Sequence, residues 1–580
     1  MNIYNKVIRN KINNSNVFNE IVIILLVVLL FGIPMMQNSM TWRTDAYFHL
    51  SRIFDINNYI KNFNIPLIVN LNTFSETGQA VNGMYPFYSL TPFILLTTWL
   101  NPMKQYFAIN IIYIALGSIL NYFVFQKMGS NKAQSFSAVI LILSFINIFS
   151  FSSFSLQGVW SIYFMFPMAI LSIIKINNDN LWYILLLSAS ISFMFNMHFI
   201  SAFISVLVIG MFFIYVFYNS KNKINLLRNA VISAILFMIL SLTTIINLIS
   251  ISKDKLQGLE NFQLSSGTLN LEQMIHSLTN PSIFGVSIPS IFGSLLIIDI
   301  FLILCWKNLN HDSQSVVIIG LFFQLIISPY FPWDLLQKTP VSIIQFPTRL
   351  VPLILMLLVL VIVTDKFFNN MKILKGIIVL SLMLTLSFQT SNIVDKAKFN
   401  YFPSNDILFD HYEKNLFNYR ENTKLTEYDL LNPIFYRLKT YPEYIPKITN
   451  NKTLNDKYSN SVNNHIVYAN DKKINNVKVT VNNNVIIYKF KNDISGKIDI
   501  PLWSYKGVDY LDISRSKYGN IHTSKRNTIQ VYSHKTNTIK IRVSNTKLVN
   551  ISYLITTISW AILLISIFIK GIYQKKVNKF

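Results

Sequence analysis

A succession of long apolar runs is the feature of this sequence that most constrains its fold. Such runs recur along the 580-residue chain, beginning with IVIILLVVLLFGIPMM at 21–36. A helix of about 20 predominantly apolar residues is long enough to cross the hydrocarbon core of a bilayer. Hydrophobic residues make up 52% of the chain and charged residues only 13%, so the sequence predicts a multi-pass membrane protein.

The first apolar run follows a basic stretch, MNIYNKVIRNKINN, as the apolar part of a secretory signal peptide does. No small-residue cleavage site follows it and further apolar runs come later, so we interpret it as a retained first span. The formal net charge of +24 falls largely in short connections and at the termini, as the positive-inside rule expects. Anionic lipid or an anionic envelope polymer is therefore a better partner than nucleic acid. With a single cysteine, Cys305, the chain cannot form a disulfide framework of its own.

The charge rule also predicts how the chain passes through the membrane, because basic connections stay in the cytoplasm and long polar segments lie outside. It predicts about twelve spans in the cell membrane, with both termini cytoplasmic. The run YPFYSLTPFILLTTWL at 85–100 is expected as an interfacial or partly inserted helix, because a span there would place KMGSNK and SKNK outside. The predicted spans are 21–36, 105–126, 134–152, 157–174, 181–198, 200–218, 229–250, 286–306, 314–330, 349–365, 373–389 and 551–569.

These expectations divide the chain into three parts. Residues 1–389 form a transmembrane domain with a first external loop at 37–104, and 550–580 form the last span and a basic cytoplasmic tail. Between them, 390–549 is rich in Asn, Lys, Ser and Tyr, and VKVTVNNNVIIYKF alternates with the two-residue period of half-buried strands. We expect this segment to be a small extracytoplasmic β-rich domain.

A polar stripe follows the first span, in TWRTDAYFHLSR. If the chain is helical from Asp45, spacings of four and three residues place Asp45, His49 and Arg52 on one face. Phe48 and Leu50 would then lie opposite, and the helix would lie along the membrane surface with its polar face turned to water or a cavity. The same pattern also suits a solvated ion pair of Asp45 and Arg52 beside an incidental histidine.

Further candidate residues lie in the same loop and before a late span. Arg43, Glu76 and Tyr85 belong to the loop, where TFSETGQAVNGMYP forms a polar, glycine-containing turn. Gln345 and Arg349 lie in SIIQFPTRLVPL, at the external end of a predicted span. An arginine at that depth either extends to the lipid headgroups or binds a lipid phosphate, because a guanidinium presents a fixed fork of donors to an oxyanion.

A histidine lies where two predicted spans follow each other almost without a loop, His198 in FNMHFISAF. It suits a proton carrier or ligand, and equally a hydrogen-bonded structural role. Glu272 and His276 are spaced to meet on a helix, but a surface pair is the simpler interpretation. The sequence contains no phosphate-binding glycine loop, zinc-type cysteine pair, HExxH or GxSxG motif, which argues against an ATP-driven mechanism within this chain.

Several of these elements together resemble a family. DAYFH after the first span, NGMYP before an interfacial helix, QFPTR before a late span and an external C-terminal segment are similar to bacterial YfhO-like membrane proteins and their relatives described as 6-pyruvoyl-tetrahydropterin synthase related. Both groups resemble integral-membrane glycosyltransferases of the GT-C fold. The resemblance covers the topology of roughly 20–390 and depends on short motifs. The pterin chemistry in the family description has no counterpart in these motifs.

The resemblance implies an enzyme that transfers a sugar from a polyprenyl-phosphate carrier to an extracytoplasmic acceptor, an envelope polymer or a glycolipid. In such enzymes an acid of the first external loop serves as base for the acceptor or contacts a divalent metal, and Asp45 occupies that place. The family often has a second acid beside it or a glutamine where this chain has His49, and QFPWR where this chain has QFPTR. These departures leave open whether a metal joins Asp45 and which acceptor is used.

The chemistry of such a transfer gives the candidate residues two roles. A base must deprotonate the acceptor hydroxyl, and cationic donors must stabilise the departing phosphate. Asp45 with His49 suits the first role, and Arg349 with Arg52 and Gln345 the second. A transporter or lipid-linked sugar flippase would use similar residues, although its polar groups usually lie near the membrane midplane. A non-catalytic envelope assembly protein is the third interpretation, and it predicts that Asp45 tolerates replacement by Asn.

Overall fold

The computed structural model describes 15–36, 39–42, 45–152, 157–176, 181–258, 262–268, 272, 288–397, 423–514 and 521–577. Arg43 and His276, two residues named above, lie outside these ranges. Within them the chain forms a set of long helices, a polar connection that follows the first of these helices, and an antiparallel β-sheet before the last helix.

The helices, numbered in chain order, account for most of the described residues. They are α1 (Asn16–Met36), α2 (Ala46–Lys61), α3 (Val81–Met84), α4 (Thr91–Thr97), α5 (Pro102–Met128), α6 (Lys132–Ser152), α7 (Gln157–Lys175), α8 (Leu181–Phe195), α9 (Phe199–Asn219), α10 (Lys223–Leu240), α11 (Leu242–Ser252), α12 (Ile288–Leu304), α13 (His311–Ile327), α14 (Trp333–Leu336), α15 (Val351–Thr364), α16 (Met371–Ala397), α17 (Glu427–Leu431), α18 (Lys452–Asn463) and α19 (Lys547–Val577).

Most of the long apolar runs of the sequence are helical where the structure describes them. Among the described residues, five helical stretches are long and apolar enough to cross a membrane: Pro102–Met128, Phe199–Asn219, Lys223–Leu240, Pro347–Thr364 and Lys547–Lys570. Other apolar helical stretches of 10–17 residues accompany them. The chain is therefore an α-helical protein with helices that can span a membrane, and the total of about twelve spans stays a prediction.

Two of the predicted apolar segments differ in detail from the structure. The span predicted at 229–250 is divided between two helices at Ser241, whose hydroxyl donates to Ser192 Oγ at 3.0 Å. The run at 85–100 contains the seven-residue helix α4, whereas a spanning helix needs about 20 residues. The helix in that run is therefore too short to cross the bilayer, which agrees with an interfacial or partly inserted segment.

The apolar helix α15 lies at the centre of the helical part. Every residue from Val351 to Val363 is buried, and its neighbours are α6, α7 and α13. A helix that is apolar all round and buried belongs to a core. By contrast, α10 and α19 leave most of their apolar side chains exposed, a surface that suits contact with lipid.

The strands form two antiparallel sheets. They are β1 (Ser39–Trp42), β2 (Thr423–Thr426), β3 (Val467–Ala469), β4 (Lys472–Ile474), β5 (Lys478–Asn482), β6 (Val485–Trp503), β7 (Val508–Asp512), β8 (Ile521–Thr523) and β9 (Thr528–Asn545). The larger sheet has the order β4-β3-β6-β9-β7, with β5 beside β6 and β8 beside β9. Burial alternates along the start of β6, which is the two-residue period that predicted a β-rich segment. The expectation of strands in this segment is confirmed, and its bounds and extracytoplasmic location stay predictions.

The segment that carries the larger sheet is joined to the polar loop that follows α1. Strands β1 and β2 pair antiparallel, with Met40 opposite Leu425 and both side chains buried. Asn545, at the end of β9, accepts a hydrogen bond from Ile68 N and donates one to Pro66 O, each at 3.0 Å. The loop and the sheet therefore pack together, and the loop lies between the sheet and the helices.

Candidate functional site

Helix α2 begins where the sequence predicts it, with Asp45 at the N-cap position. Side chains from both of its faces are nearly inaccessible: Phe48 (5%), His49 (4%), Leu50 (2%) and Arg52 (2%). His49 and Arg52 are therefore not turned to bulk water, whereas a polar face toward a cavity and a position along the membrane surface stay predictions. The segment 423–514 covers the helix, as the stacked rings of Phe54 and Tyr436 show, with centroids 3.9 Å apart.

Arg52 holds the turn that ends the polar loop. Its Nη2 donates to the carbonyl oxygens of Tyr85, at 3.3 Å, and Pro86, at 2.8 Å. Its guanidinium carbon lies 4.1 Å from the centre of the Tyr85 ring, where a cation and an aromatic face attract each other. Burial lowers the pKa of Arg52 to about 10, so the group stays charged at neutral pH. Because it is engaged by backbone carbonyls, Arg52 fixes the loop rather than presenting a free fork to a ligand.

His49 is a neutral hydrogen-bond donor in this arrangement. Its Nδ1 lies 3.3 Å from Nη1 of Arg52. Because a guanidinium only donates, Nδ1 is the acceptor and the ring proton lies on Nε2. Burial, with the neighbouring positive charge of Arg52, lowers the pKa of His49 well below its usual value. A buried imidazole with its basic nitrogen occupied is poorly suited to act as a base.

Tyr85 and His198 join the loop to the helices. The Tyr85 ring centroid lies 5.6 Å from that of His49 and 5.2 Å from that of His198. Burial raises the pKa of Tyr85 to about 12, so its hydroxyl keeps its proton. His198 caps α9, because its Nδ1 accepts a hydrogen bond from Ser201 N at 3.1 Å. The structural role expected for His198 is present, and the residue also lies beside the cluster.

The QFPTR element brings a second arginine to the same region. Gln345 adopts a left-handed backbone conformation, with φ 62°, and the 3₁₀ turn Pro347–Leu350 follows it. A positive φ is uncommon outside glycine, and residues with strained backbone cluster at functional sites. Among the described residues Arg349 has one hydrogen-bond acceptor, Ile344 O at 3.0 Å from Nη1, and it lies 5.4 Å from the Phe346 ring centre. The half-buried guanidinium thus keeps donors for a ligand.

Asp45 places a negative charge beside these residues. Its side chain is exposed, and its charge acts on Tyr85, Arg349, Tyr441 and Tyr444. Asp45 and Arg349 come from distant parts of the sequence, and no local pattern requires them to approach. The structure therefore brings together the candidate acid and the candidate phosphate-binding arginine.

Two tyrosines that the sequence reasoning missed complete the cluster. Tyr441 and Tyr444 lie between α17 and α18, in the segment expected as a separate domain. Their ring centroids are 4.9 Å and 5.8 Å from that of Phe48, and the charge of Glu443 acts on both. Tyr441 N also donates to Gln79 Oε1 at 3.0 Å. In a chain with 29 tyrosines, nothing in TYPEY distinguishes this pair.

Glu76 forms an ion pair with the sheet-bearing segment, apart from these contacts. Its Oε1 lies 2.9 Å from Nη2 of Arg437. Burial raises the pKa of Glu76 to about 7, although Arg437 acts in the opposite direction. Phe74, Ser75 and Glu76 all have positive φ, so a tight turn presents the carboxylate to its partner. The contacts of Glu76 indicate that it joins the loop to the segment that covers it.

A buried carboxylate that the sequence reasoning missed organises the rest of the loop. Asp55 accepts hydrogen bonds from the side-chain amides of Asn82 at 2.8 Å, Asn70 at 2.9 Å and Asn72 at 3.5 Å. Burial raises the pKa of Asp55 to about 7, against the effect of these amides. The NGMYP element thus has a structural function, because Asn82 ties it to α2.

The resemblance also implies that Asp45 can contact a divalent metal. In the described ranges, no group of three His, Cys, Asp or Glu side chains is placed to hold a metal ion. A metal at Asp45 would have to take its other ligands from a substrate phosphate and water, which Mg²⁺ commonly does.

Comparison of the chain with family models, curated proteins and solved structures finds no match. The site is therefore interpreted from its geometry. An exposed carboxylate can take a proton from a hydroxyl, and a guanidinium with spare donors can bind a phosphate. The half-buried rings of Tyr85, Tyr441 and Tyr444, which pack around the buried Phe48, add aromatic faces of the kind that a ring-shaped ligand packs against.

Proposed function

We propose that the chain is an integral-membrane glycosyltransferase of the GT-C type, related to the YfhO-like proteins, that moves a sugar from a polyprenyl-phosphate carrier to an extracytoplasmic acceptor. The observation that carries the proposal is the approach of Asp45 and Arg349, next to the start of the apolar helix at 347–364. A lipid-linked phosphate lies where the hydrocarbon of the bilayer ends, so a cation at the end of a spanning helix is suitably placed for it. Such a donor requires no nucleotide.

Asp45 is the proposed general base. It is the exposed acid of the cluster, at the N-cap of α2, where an acceptor hydroxyl can reach it. Exposed carboxylates are ionised at neutral pH, and one held beside the acceptor can remove the hydroxyl proton as the bond to the sugar forms. His49 donates a hydrogen bond from Nε2 to the bound substrate, which replaces the base role expected from the sequence.

Arg349 is the proposed ligand of the departing phosphate. Negative charge grows on that phosphate as its bond to the sugar breaks, and a guanidinium fixed beforehand by Ile344 stabilises it without reorganisation. Gln345 follows Ile344, whose carbonyl accepts from Arg349, and is itself buried, so its proposed part is to shape the backbone that holds this arginine. Arg52 is a positioning residue in this scheme, because it holds the loop at Tyr85.

The sheet-bearing segment is proposed to receive the acceptor, an anionic envelope polymer or a glycolipid. It carries exposed lysines, and two of them, Lys478 and Lys489, lie directly opposite each other on β5 and β6. Like charges in such a pair repel each other, and an anion bound between them removes the repulsion.

The test is the sugar content of envelope polymers and glycolipids in a deletion strain complemented with variants of equal membrane abundance. Loss of a general base lowers the rate by about 100-fold or more, so we expect Asp45→Asn to leave one sugar missing. Asp312→Asn is the matched control, because Asp312 is an exposed carboxylate in the first turn of α13. It is expected to restore the sugar fully.

The two arginines are distinguished by the same assay combined with thermal unfolding. Arg349→Ala is expected to lower transfer by about 100-fold with little change in unfolding temperature. The control is Arg542→Ala, which replaces an exposed arginine and is expected to change neither transfer nor unfolding temperature. Arg52→Lys is expected to lower the unfolding temperature, because lysine cannot reproduce the bonds to the two carbonyls of the 85–86 turn.

Full restoration by Asp45→Asn would overturn the glycosyltransferase proposal and favour an assembly protein. Accumulation of the lipid-linked sugar on the cytoplasmic side in the deletion strain would favour a flippase instead, because a transferase deficiency leaves the donor on the outer side.

A further inference from the structure

The buried face of α12 carries an acid. Leu295, Ile298 and Leu302 are buried along this face, and Asp299, which lies among them, is only 2% exposed. The opposite face, with Ile300 and Ile303, is exposed. Helical spacing of three and four residues places Asp299 in the middle of an apolar stripe, where a leucine or isoleucine is the ordinary occupant.

The polar side chain that acts on Asp299 from α13 is Gln324. Val317, Gly320 and Ile327 are buried along the same helix, and their spacing places Gln324 on that inner face. Among the described residues, three buried atoms of this pair have no hydrogen-bond partner: both carboxylate oxygens of Asp299 and Nε2 of Gln324. The two side chains therefore place buried polar atoms, none of them hydrogen-bonded within the described part of the chain, between two helices.

The charged groups on the surrounding elements lie at helix ends. Helix α12 packs against α6, α15 and the turn Trp306–Asn308. The nearest lysines in sequence on these elements are Lys132, at the start of α6, and Lys307, in the turn, while Val351–Thr364 contains no charged residue. On α13 the titratable groups are His311 and Asp312, in its first turn. Lys307 is eight residues from Asp299, or about 12 Å of helix rise.

A buried carboxylate without a cation is unfavourable as an anion in apolar surroundings, and it becomes favourable when it binds a proton. Asp299 and Gln324 together offer one carboxylate and one amide oxygen, which is fewer ligands than a hard metal cation takes. Hard metal cations prefer about six or more oxygen ligands. A proton needs only one acceptor opposite the acid, which the amide oxygen of Gln324 supplies when the amide is turned.

We propose that Asp299 is a proton-binding site between α12 and α13, where the protonated carboxyl donates a hydrogen bond to Oε1 of Gln324. The bound proton links the two helices through this hydrogen bond, and its loss places an unpaired negative charge between them. The proposal is independent of the glycosyltransferase chemistry at Asp45, because it concerns other helices and another ligand.

The decisive experiment compares the thermal unfolding of the purified full chain and of Asp299→Asn, in detergent, over a series of pH values. The folded wild type binds a proton that the unfolded chain releases at lower pH, so rising pH weakens the wild type relative to the uncharged variant. We expect the difference between their unfolding temperatures to change steadily from acid to neutral pH. Asp312→Asn is the control, and its difference from the wild type is expected to be constant. A constant difference for Asp299→Asn as well would overturn the proposal.

A second measurement identifies the occupant. Dicyclohexylcarbodiimide reacts with protonated carboxyls: the acid proton goes to a carbodiimide nitrogen and the carboxyl oxygen bonds to its carbon, giving an acylisourea that rearranges to a stable acylurea. Mass spectrometry is expected to find this adduct on Asp299 in the wild type, decreasing as pH rises and unaffected by Na⁺. Protection by Na⁺ would overturn the proton as occupant in favour of a metal cation.

Discussion

The two arginines of the cluster differ in what they contact, although both were predicted to bind phosphate. Arg52 is enclosed by the carbonyls of Tyr85 and Pro86 and by an aromatic ring. Arg349 is half-buried and is held through Ile344 alone among the described residues. The residue type and sequence position of each arginine cannot distinguish these environments, since the acceptors of Arg52 are backbone atoms more than thirty positions away.

Glu76 provides a pH-dependent prediction at the residue scale. Its carboxyl keeps a proton up to about pH 7 in the folded protein, compared with 4.5 for an unperturbed glutamate. Between these values the folded state binds more protons than the unfolded state, so rising pH weakens the fold. We expect the unfolding temperature of the wild type to fall relative to that of Glu76→Gln across this window, and the difference to level off above it.

The control for Glu76→Gln is Asp493→Asn, which removes the acid of an exposed pair with Lys535. Exposed pairs contribute little to stability, so its difference from the wild type is expected to be flat over the same pH range. If Glu76→Gln is equally flat, the pKa of Glu76 is not raised by burial and the buried pair with Arg437 is not what we describe.

At the scale of elements, local periodicity predicted most helices and the strand β6, but it could not predict which elements pair with each other. The helices follow the apolar runs because a run of that length has no alternative in lipid, and β6 follows its two-residue alternation. The antiparallel pairing of β1 with β2 has no signal in SMTW or TKLT, because its partners are almost four hundred residues apart. The break at Ser241 likewise depends on Ser192, a residue of another helix.

The pairing of β1 with β2 is testable by cross-linking. Met40 lies directly opposite Leu425, and opposite residues of antiparallel strands have Cβ atoms about 4.5–5.5 Å apart, close to the spacing of a disulfide. In a Cys305→Ser background, Met40→Cys with Leu425→Cys is expected to form a disulfide under mild oxidation, detected by mass spectrometry of the linked peptides. Met40→Cys with Tyr428→Cys is the control and should remain reduced. Equal cross-linking in both pairs would contradict the register.

At the scale of the whole molecule, the sheet-bearing segment and the helices together enclose the polar loop. The predicted division at 389–390 treats the segment as a separate unit, because a composition shift marks it in the sequence. In the structure it supplies Tyr441 and Tyr444 to the cluster and covers α2. The sequence therefore predicted the candidate acid and arginine by residue type, but not the residues that enclose them, since these depend on packing between distant segments.

This enclosure depends on a close approach at one glycine. A Cβ at Gly507, in the turn between β6 and β7, would lie 2.6 Å from the carbonyl oxygen of Ser250 in α11. Backbone atoms cannot yield as a flexible side chain does, and overpacking of this kind costs about 1–3 kcal/mol. We expect Gly507→Ala to lower the unfolding temperature, to speed proteolysis of the segment, and to reduce sugar transfer although it touches no residue of the cluster.

The matched control is Gly376→Ala, because nothing lies within 4 Å of a Cβ placed at that exposed position of α16. Alanine favours helix over glycine by about 1 kcal/mol, so this variant is expected to keep or slightly raise the unfolding temperature and to transfer sugar normally. If Gly507→Ala unfolds and is cleaved like the wild type, the sheet does not rest against α11. If it loosens the segment yet transfers sugar at the full rate, the segment packs as described but Tyr441 and Tyr444 take no part in the reaction.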